Sequence, residues 1–576
     1  MKQKSSVTRL ALLMRPYMKT LIVCVVCVII VNAAELVKPL VAAVVIDDFI
    51  VAGKEQSGFF SIWGMGIIYF AIVAAGSLLS MTQVRLIARI SQSILAKMRQ
   101  DVFKKIMLMP MKTLDKHGTG RLITRATNDV ETVNEFYSDV FLNLFKDIFL
   151  LLGIIIVMLV IDPMLALVAF TGVPIIVIIT LSLKKVLKQN FKRMKTIIGQ
   201  INGFFAENVG GMRIVQAFNR QIEKLSEFRA LNKAYFQTTR TQVMLNTFLR
   251  PTMEVINTLV IALLIAYGYH RISGGTLNVG ILYAFTNYVK QFFEPINDLA
   301  EKYTTVQSAF VSTDRIYEIL DEQDIENPHE GAHSGSVSGE VEFRDVWFAY
   351  NDEDWVLRGV SFKVNAGEKA AFVGATGVGK STIISLIARY YTAQKGEILI
   401  DGVPVGDWQL HDLRRGVATV LQDVFLFTGD IEQNIDMHAR LELEQIETAL
   451  ETACADGFVR EIGGIGSPVT EQGLNFSTGQ RQLLSFARAI AHEPGVLVLD
   501  EATAHIDTVT EELVRASIER ISKGRTSIFI AHRLSTIRSC DAIFVMVGGV
   551  IAESGTHEAL MSSAGVYAGL VDAAEE

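Results

Sequence analysis

GATGVGKST, residues 374–382, decides the fold of the half of the chain that contains it. It follows the apolar, strand-like EKAAFV and leads into IISLIARYY, whose periodicity is helical. G-x-x-x-x-G-K-S between a strand and a helix is an arrangement that cradles phosphates. Glycines let backbone N–H groups approach phosphate oxygens, and the helix N-terminus adds a favourable dipole. In that setting Gly374, Thr376, Gly377, Gly379 and Thr382 shape the loop, Lys380 reaches the β- and γ-phosphates of ATP, and Ser381 holds Mg²⁺.

Downstream, VLVLDEATA (496–504) is an apolar strand ending in two carboxylates. Asp500 is placed to position Mg²⁺ and its water, and Glu501 to polarise the water that attacks the γ-phosphate. Upstream, GEVEFRDVWFAY begins a strand pattern at Gly339. Before it, DEQDIENPHEGAHSGSVS (321–338) is acidic, contains Gly and Ser and lacks periodicity, which predicts a linker.

The other half reads differently. At 576 residues the chain exceeds what one core supports, and half its residues are apolar. Residues 1–320 hold 35 Lys and Arg against 21 Asp and Glu, the remainder 19 against 40. A basic, apolar half beside an acidic, polar half predicts a membrane part whose inner loops face anionic lipid. Nucleic-acid binding would need a basic patch on a folded polar domain, and none is evident.

Six apolar stretches, near 20–42, 59–81, 141–161, 164–183, 252–270 and 278–298, can each supply a membrane span. Asp162-Pro163 forces a turn so short that the third and fourth form a hairpin. Basic residues between Arg85 and Arg125 and at 184–195, against Asp47, Asp48 and Glu55 outside, put both termini in the cytoplasm. From Ser57 to Met109 there is no proline, so that helix should run well beyond the bilayer. Cys24 and Cys27 lie inside LIVCVVCVIIV and read as apolar filler. The basic, amphipathic opening MKQKSSVTRLALLMRPYMK reads as a helix on the inner membrane surface.

With Tyr350 before the loop, Gln422 in VLQDVFLFTGDIEQNI, FSTGQRQ at 476–482, Asp507 in AHID and His532 in IFIAHRLST, residues 339–576 resemble an ABC nucleotide-binding domain. HGTGRLITRATNDV (117–130) and ENVGGMRIVQAFNRQ (207–221) resemble the coupling segments of ABC exporters, so the resemblance covers the whole chain. It implies a six-helix transmembrane domain over 1–320 and a RecA-like α/β ATPase domain with a helical subdomain over 339–576, together one half-transporter. It also implies that Tyr350 stacks on adenine, that Gln422 touches Mg²⁺ and reports nucleotide state, and that His532 holds the γ-phosphate. Asp507 falls at the subunit seam.

In such proteins two ATPase domains sandwich two ATPs, each site completed by the partner's signature. Here Ser477, Thr478, Gly479 and Gln480 form that signature, and Thr478 puts a β-branched side chain where the first glycine is usual. His505 is a second departure. The chain keeps Lys380, Glu501 and His532 for its own site while offering its neighbour an off-pattern motif. This resembles one half of bacterial heterodimeric multidrug exporters, and implies a different partner with a regular signature and an altered catalytic glutamate. The expected function is ATP-driven export of small amphiphilic molecules across the cell membrane. Alternatives are a homodimeric lipid or peptide exporter, or a nucleotide-gated regulator that does not pump. Glu254, Tyr288 and Phe292 are candidates for the cargo cavity, because an ionised group within a span needs a partner or a wet surface.

Overall fold

The computed structural model describes residues 5–54, 61–351, 354–500, 508–530 and 534–575. Contacts divide the chain into two compact units, residues 1–104 with 120–321, and residues 105–119 with 322–576.

The first unit is helical. Helices Met18–Val44, Ile62–Met107, Leu142–Ile161, Pro163–Phe170, Gly172–Gly210, Gln221–Ser273 and Val279–Leu320 overlap the six expected stretches. Among the described residues four helical runs are long and apolar enough to cross a membrane: Ser6–Val51, Ile62–Met107, Thr119–Ile161 and Pro251–Ser273. A shorter apolar run spans Pro163–Ile176. Helix Ile62–Met107 has 46 residues, about 69 Å at about 1.5 Å per residue, more than twice a bilayer core of about 30 Å.

Asp162 alone separates two of these helices: its backbone is extended and its carboxylate accepts from the amides of Met164 and Leu165, so the break is a helix cap. The other carboxylate oxygen accepts from Arg271 at 2.6 Å. Two further pairs lie inside the helical unit, Lys38 with Glu35 at 2.7 Å and Lys302 with Asp147 at 2.5 Å. Cys24 and Cys27 are buried free thiols. The amino-terminal helix Ser6–Met14 buries Arg9, whose guanidinium lies 4.4 Å from the ring centre of Tyr317 and donates to Asp321.

The second unit holds two principal sheets. A four-stranded antiparallel sheet runs in the order Trp355–Val364, Val341–Ala349, Lys395–Ile400, Val403–Pro404. A six-stranded sheet runs Val550–Gly555, Ala542–Val547, Lys369–Val373, Thr526–Ile530, Val496–Asp500, Val417–Val420, parallel except at its first pair. Central parallel strands are buried on both faces, which explains their continuous apolar sequences. Helices 431–436, 443–452, 456–461 and 478–490 belong to the core on one side of this sheet, through Ile435, Leu450, Val459 and Leu483.

Residues 322–338 form neither helix nor strand apart from one bridge, His333 with Trp408, yet they are docked. Glu326 makes a two-pronged ion pair with Arg414, at 2.7 and 2.9 Å, and its amide donates to the carbonyl of Leu108. His333 sits edge-on to the buried Trp408, at 4.3 Å between rings.

Candidate nucleotide site

Parallel strands bring the site together at their carboxyl ends. Ile530 pairs with Phe372 on one side and Asp500 on the other, and Leu499 pairs with Val420. The loop after Val373, the strand end at Asp500 and the segment at Gln422 therefore line one edge of the sheet, where α/β folds bind ligands.

The loop is fixed by its glycines. Gly374 has φ +149°, and a Cβ there would stand 2.4 Å from the carbonyl oxygen of Met546. Gly377 has φ +84° with nothing within 4 Å of a Cβ, so its backbone is open to an approaching phosphate. Helix Lys380–Ile387 then starts with no side chain capping it. Its first-turn amides face the loop, the setting in which anions bind. Lys380 is buried, and its ammonium donates to the carbonyls of Gly374 at 2.7 Å and Ala375 at 3.0 Å, bridging the loop. Thr376 and Ser381 are exposed, and Thr382 is buried with its hydroxyl 3.2 Å from that of Tyr350. Tyr350 is 44% exposed.

Ser381 hydroxyl, Gln422 amide oxygen and Asp500 carboxylate are hard oxygen donors of the kind that suits Mg²⁺. Gln422 is exposed, and Asp500 is half-buried at its strand end. Glu501, His505, Asp507 and His532 lie outside the described residues.

The signature stretch is built in another way. Ser477 caps helix Thr478–Ile490: its hydroxyl accepts from the amide of Gln480 at 3.2 Å while Gln480 returns a bond to the Ser477 amide at 2.9 Å. Phe476 and Gly479 are buried, whereas Ser477 and Thr478 are exposed. Thr478 is the first helical residue, and its hydroxyl accepts from Arg481 at 3.4 Å. The threonine leaves its own helix intact, so its effect falls on whatever approaches the helix end.

Arg488 and Asn434 complete this region. Arg488 donates to the carbonyls of Asn434 and Phe425 and to the Asn434 side chain, at 2.7 to 2.9 Å. Asn434 in turn bridges the backbone of Phe427 and Asp430. Burial pushes the Arg488 guanidinium's pKa down. Sequence reading does not single this residue out; a cation beside Leu484, Phe486 and Ala487, all buried, is the signal that marks it.

The membrane candidates separate. Tyr288 and Phe292 are buried in the helix packing with Phe285 and Phe293, and the Tyr288 hydroxyl donates to the carbonyl of Leu36 at 2.6 Å. Glu254 lies exposed on its helix.

A phosphate-binding loop on a parallel sheet, in one chain with membrane-spanning helices, defines a transport ATPase. Residues 21–296 match the ABC transporter transmembrane region and residues 357–504 match the ABC transporter ATP-binding family. The chain is 38% identical over 479 residues to the Bacillus subtilis (strain 168) "Probable multidrug resistance ABC transporter ATP-binding/permease protein YheH", covering 82% of this chain and 71% of that one. It is 33% identical over 568 residues to the "ATP-dependent lipid A-core flippase" of Syntrophus aciditrophicus (strain SB), covering 97% and 93%. Its fold matches a bacterial Atm1-family ABC exporter with ATP bound, with TM-score 0.79 over 96% of this chain and 98% of that one, at 24% identity. The chain belongs to the ABC transporters, with an exporter-type membrane region joined to one ATPase domain. It is a multi-pass membrane protein that couples ATP hydrolysis to transport, and exporters of this family function as dimers.

Proposed function

We propose that this chain is one half of a heterodimeric exporter of small amphiphilic molecules in the cell membrane, with both termini cytoplasmic. The membrane domain would occupy residues 1–320 and the ATPase domain 339–576. The observation that carries the asymmetry is Thr478, exposed at the head of an intact, capped helix while the chain's own phosphate loop is regular.

On this reading Lys380 and the amides of the 374–382 loop hold the β- and γ-phosphates, and Tyr350 stacks on the base. Ser381, Gln422 and Asp500 would hold Mg²⁺, which when bound neutralises phosphate charge. Glu501 polarises the attacking water, and His532 holds the γ-phosphate and that water in line. Ser477, Thr478, Gly479 and Gln480 close over the ATP of the second subunit, with Asp507 at the seam, and the threonine methyl and hydroxyl stand where that γ-phosphate must align. The site containing Glu501 is then the one that turns over, completed by a regular signature on a different chain.

A multidrug cargo is supported by the name of the Bacillus subtilis relative; the flippase relative supports a lipid in its place. For the cargo surface, the exposed Glu254 is the stronger candidate, since Tyr288 and Phe292 face the helix core in a single chain. The experiment is ATPase activity of the chain purified alone and after co-expression with a second half-transporter. Turnover that appears in the mixed complex and disappears with Glu501→Gln supports the heterodimer. Substantial turnover by the lone, dimeric chain overturns it.

A further inference from the structure

Three rings close the space between the phosphate-loop helix and the short helix Met111–His117. Phe348 and Tyr350 meet edge to face at 4.9 Å and 87°, Tyr350 and Tyr391 at 5.1 Å and 88°, Phe348 and Tyr391 at 5.6 Å and 71°. Rings packed this closely cannot turn independently, because each edge rests on its neighbour's face. At one end the Tyr350 hydroxyl meets that of Thr382, on the first turn of helix Lys380–Ile387. At the other, the Tyr391 hydroxyl donates to the carboxylate of Asp115, on helix Met111–His117.

Two further observations bear on this contact. Burial, reinforced by Asp115, pushes the Tyr391 hydroxyl's pKa above the tyrosine range, so it remains a donor at any physiological pH. Beside the rings lies a cavity of about 330 Å³, bordered by Pro110, Thr113, Ile325, Tyr350 and Tyr391. An element that signals needs two arrangements, and this space gives the Tyr391 ring room for a second.

We propose that Tyr391 is a positioning residue that transmits occupancy of the Tyr350 ring face to helix Met111–His117 through its hydroxyl bond to Asp115. The inference rests on the reading of Tyr350 as the base-stacking residue. It gives the base end of the nucleotide its own connection to this helix, separate from the phosphate end at Gln422. A diphosphate, which carries the base and lacks the γ-phosphate, is therefore sufficient to engage it.

Hydrogen–deuterium exchange of the full-length chain in lipid nanodiscs, with and without saturating ADP, tests this. ADP is expected to slow exchange at the amides of residues 113–117 several-fold in the unaltered chain. In Tyr391→Phe and Asp115→Ala that slowing falls below twofold, while ADP affinity stays within threefold and exchange in the six-stranded sheet is unchanged. The double variant loses no more than either single one, since both remove one bond. A merely structural role would alter exchange equally with and without ADP. Full ADP protection in Tyr391→Phe, or none in the unaltered chain, overturns the proposal. Tyr350→Ala is read by ADP affinity alone: a tenfold loss supports the stacking reading beneath it, and an unchanged affinity removes that reading whatever Tyr391 does.

Discussion

Two helix starts in the ATPase unit solve one electrostatic problem in opposite ways. Helix Lys380–Ile387 begins at Gly379 with no side-chain cap, and helix Thr478–Ile490 begins at Ser477 with a complete capping box. The first four amides of any helix lack intrahelical partners. At Lys380 no side chain caps them, and a buried ammonium folds across the loop beside them. At Ser477 the amides of Ser477 and Gln480 are taken by the box. The first start carries no side-chain cap; the second is capped within its own chain.

Breaking the first start has the larger effect. Lys380→Ala should lower ATP hydrolysis by about 10²–10³, the loss typical of one preorganised charge-stabilising donor, and should abolish the rise in melting temperature that ATP gives. Steady-state turnover and a thermal melt check both. Thr478→Gly tests the second start from the partner's side: the assembled dimer should hold ATP several-fold more tightly at the site this signature completes, measured as retained nucleotide, while turnover, which belongs to the Glu501 site, changes little; unchanged retention would make the threonine a tolerated variation. Ser477→Ala removes the cap and should cost about 1 kcal/mol, seen as a lower urea midpoint without nucleotide. The smallest effect is at His492, just beyond the end of the signature helix, where burial holds the imidazole's pKa below its ordinary value. A lowered folded pKa means the unfolded chain takes up the proton first, so the stabilising contribution is whole above about pH 6.5 and declines as pH falls. His492→Gln should flatten that decline by a fraction of a kilocalorie in melts from pH 7.5 to 5.5.

The phosphate loop, the strand ending at Asp500 and the break at Asp162-Pro163 were legible because each is local: glycines, a buried strand and a cap declare themselves within ten residues. The same holds for the Lys38–Glu35 pair, three residues apart. What sequence patterns do not show is pairing across distance. Tyr391 and Asp115 are separated by 276 residues, and Arg414 and Glu326 by 88. Residues 321–338 lack periodicity, as a free linker does, yet Glu326 and His333 dock them. Tyr288 and Phe292 show the converse: aromatics in a span fit a cavity wall and a helix core equally well by composition, and their burial with Phe285 is a tertiary fact.

The clamp at Arg488 gives the signature helix a mechanical role. From Thr478 to Arg488 is ten residues, about 15 Å of rigid rod, with the exposed threonine at one tip and a guanidinium gripping the carbonyl of Phe425 near the other. Phe425 and Phe427 are both exposed, and their rings meet at 5.1 Å. Bending the rod would break its ladder of backbone bonds, and slipping it past Phe425 would strand a shielded cation, so the exposed threonine and the two exposed rings are carried on one stiff piece of the ATPase unit.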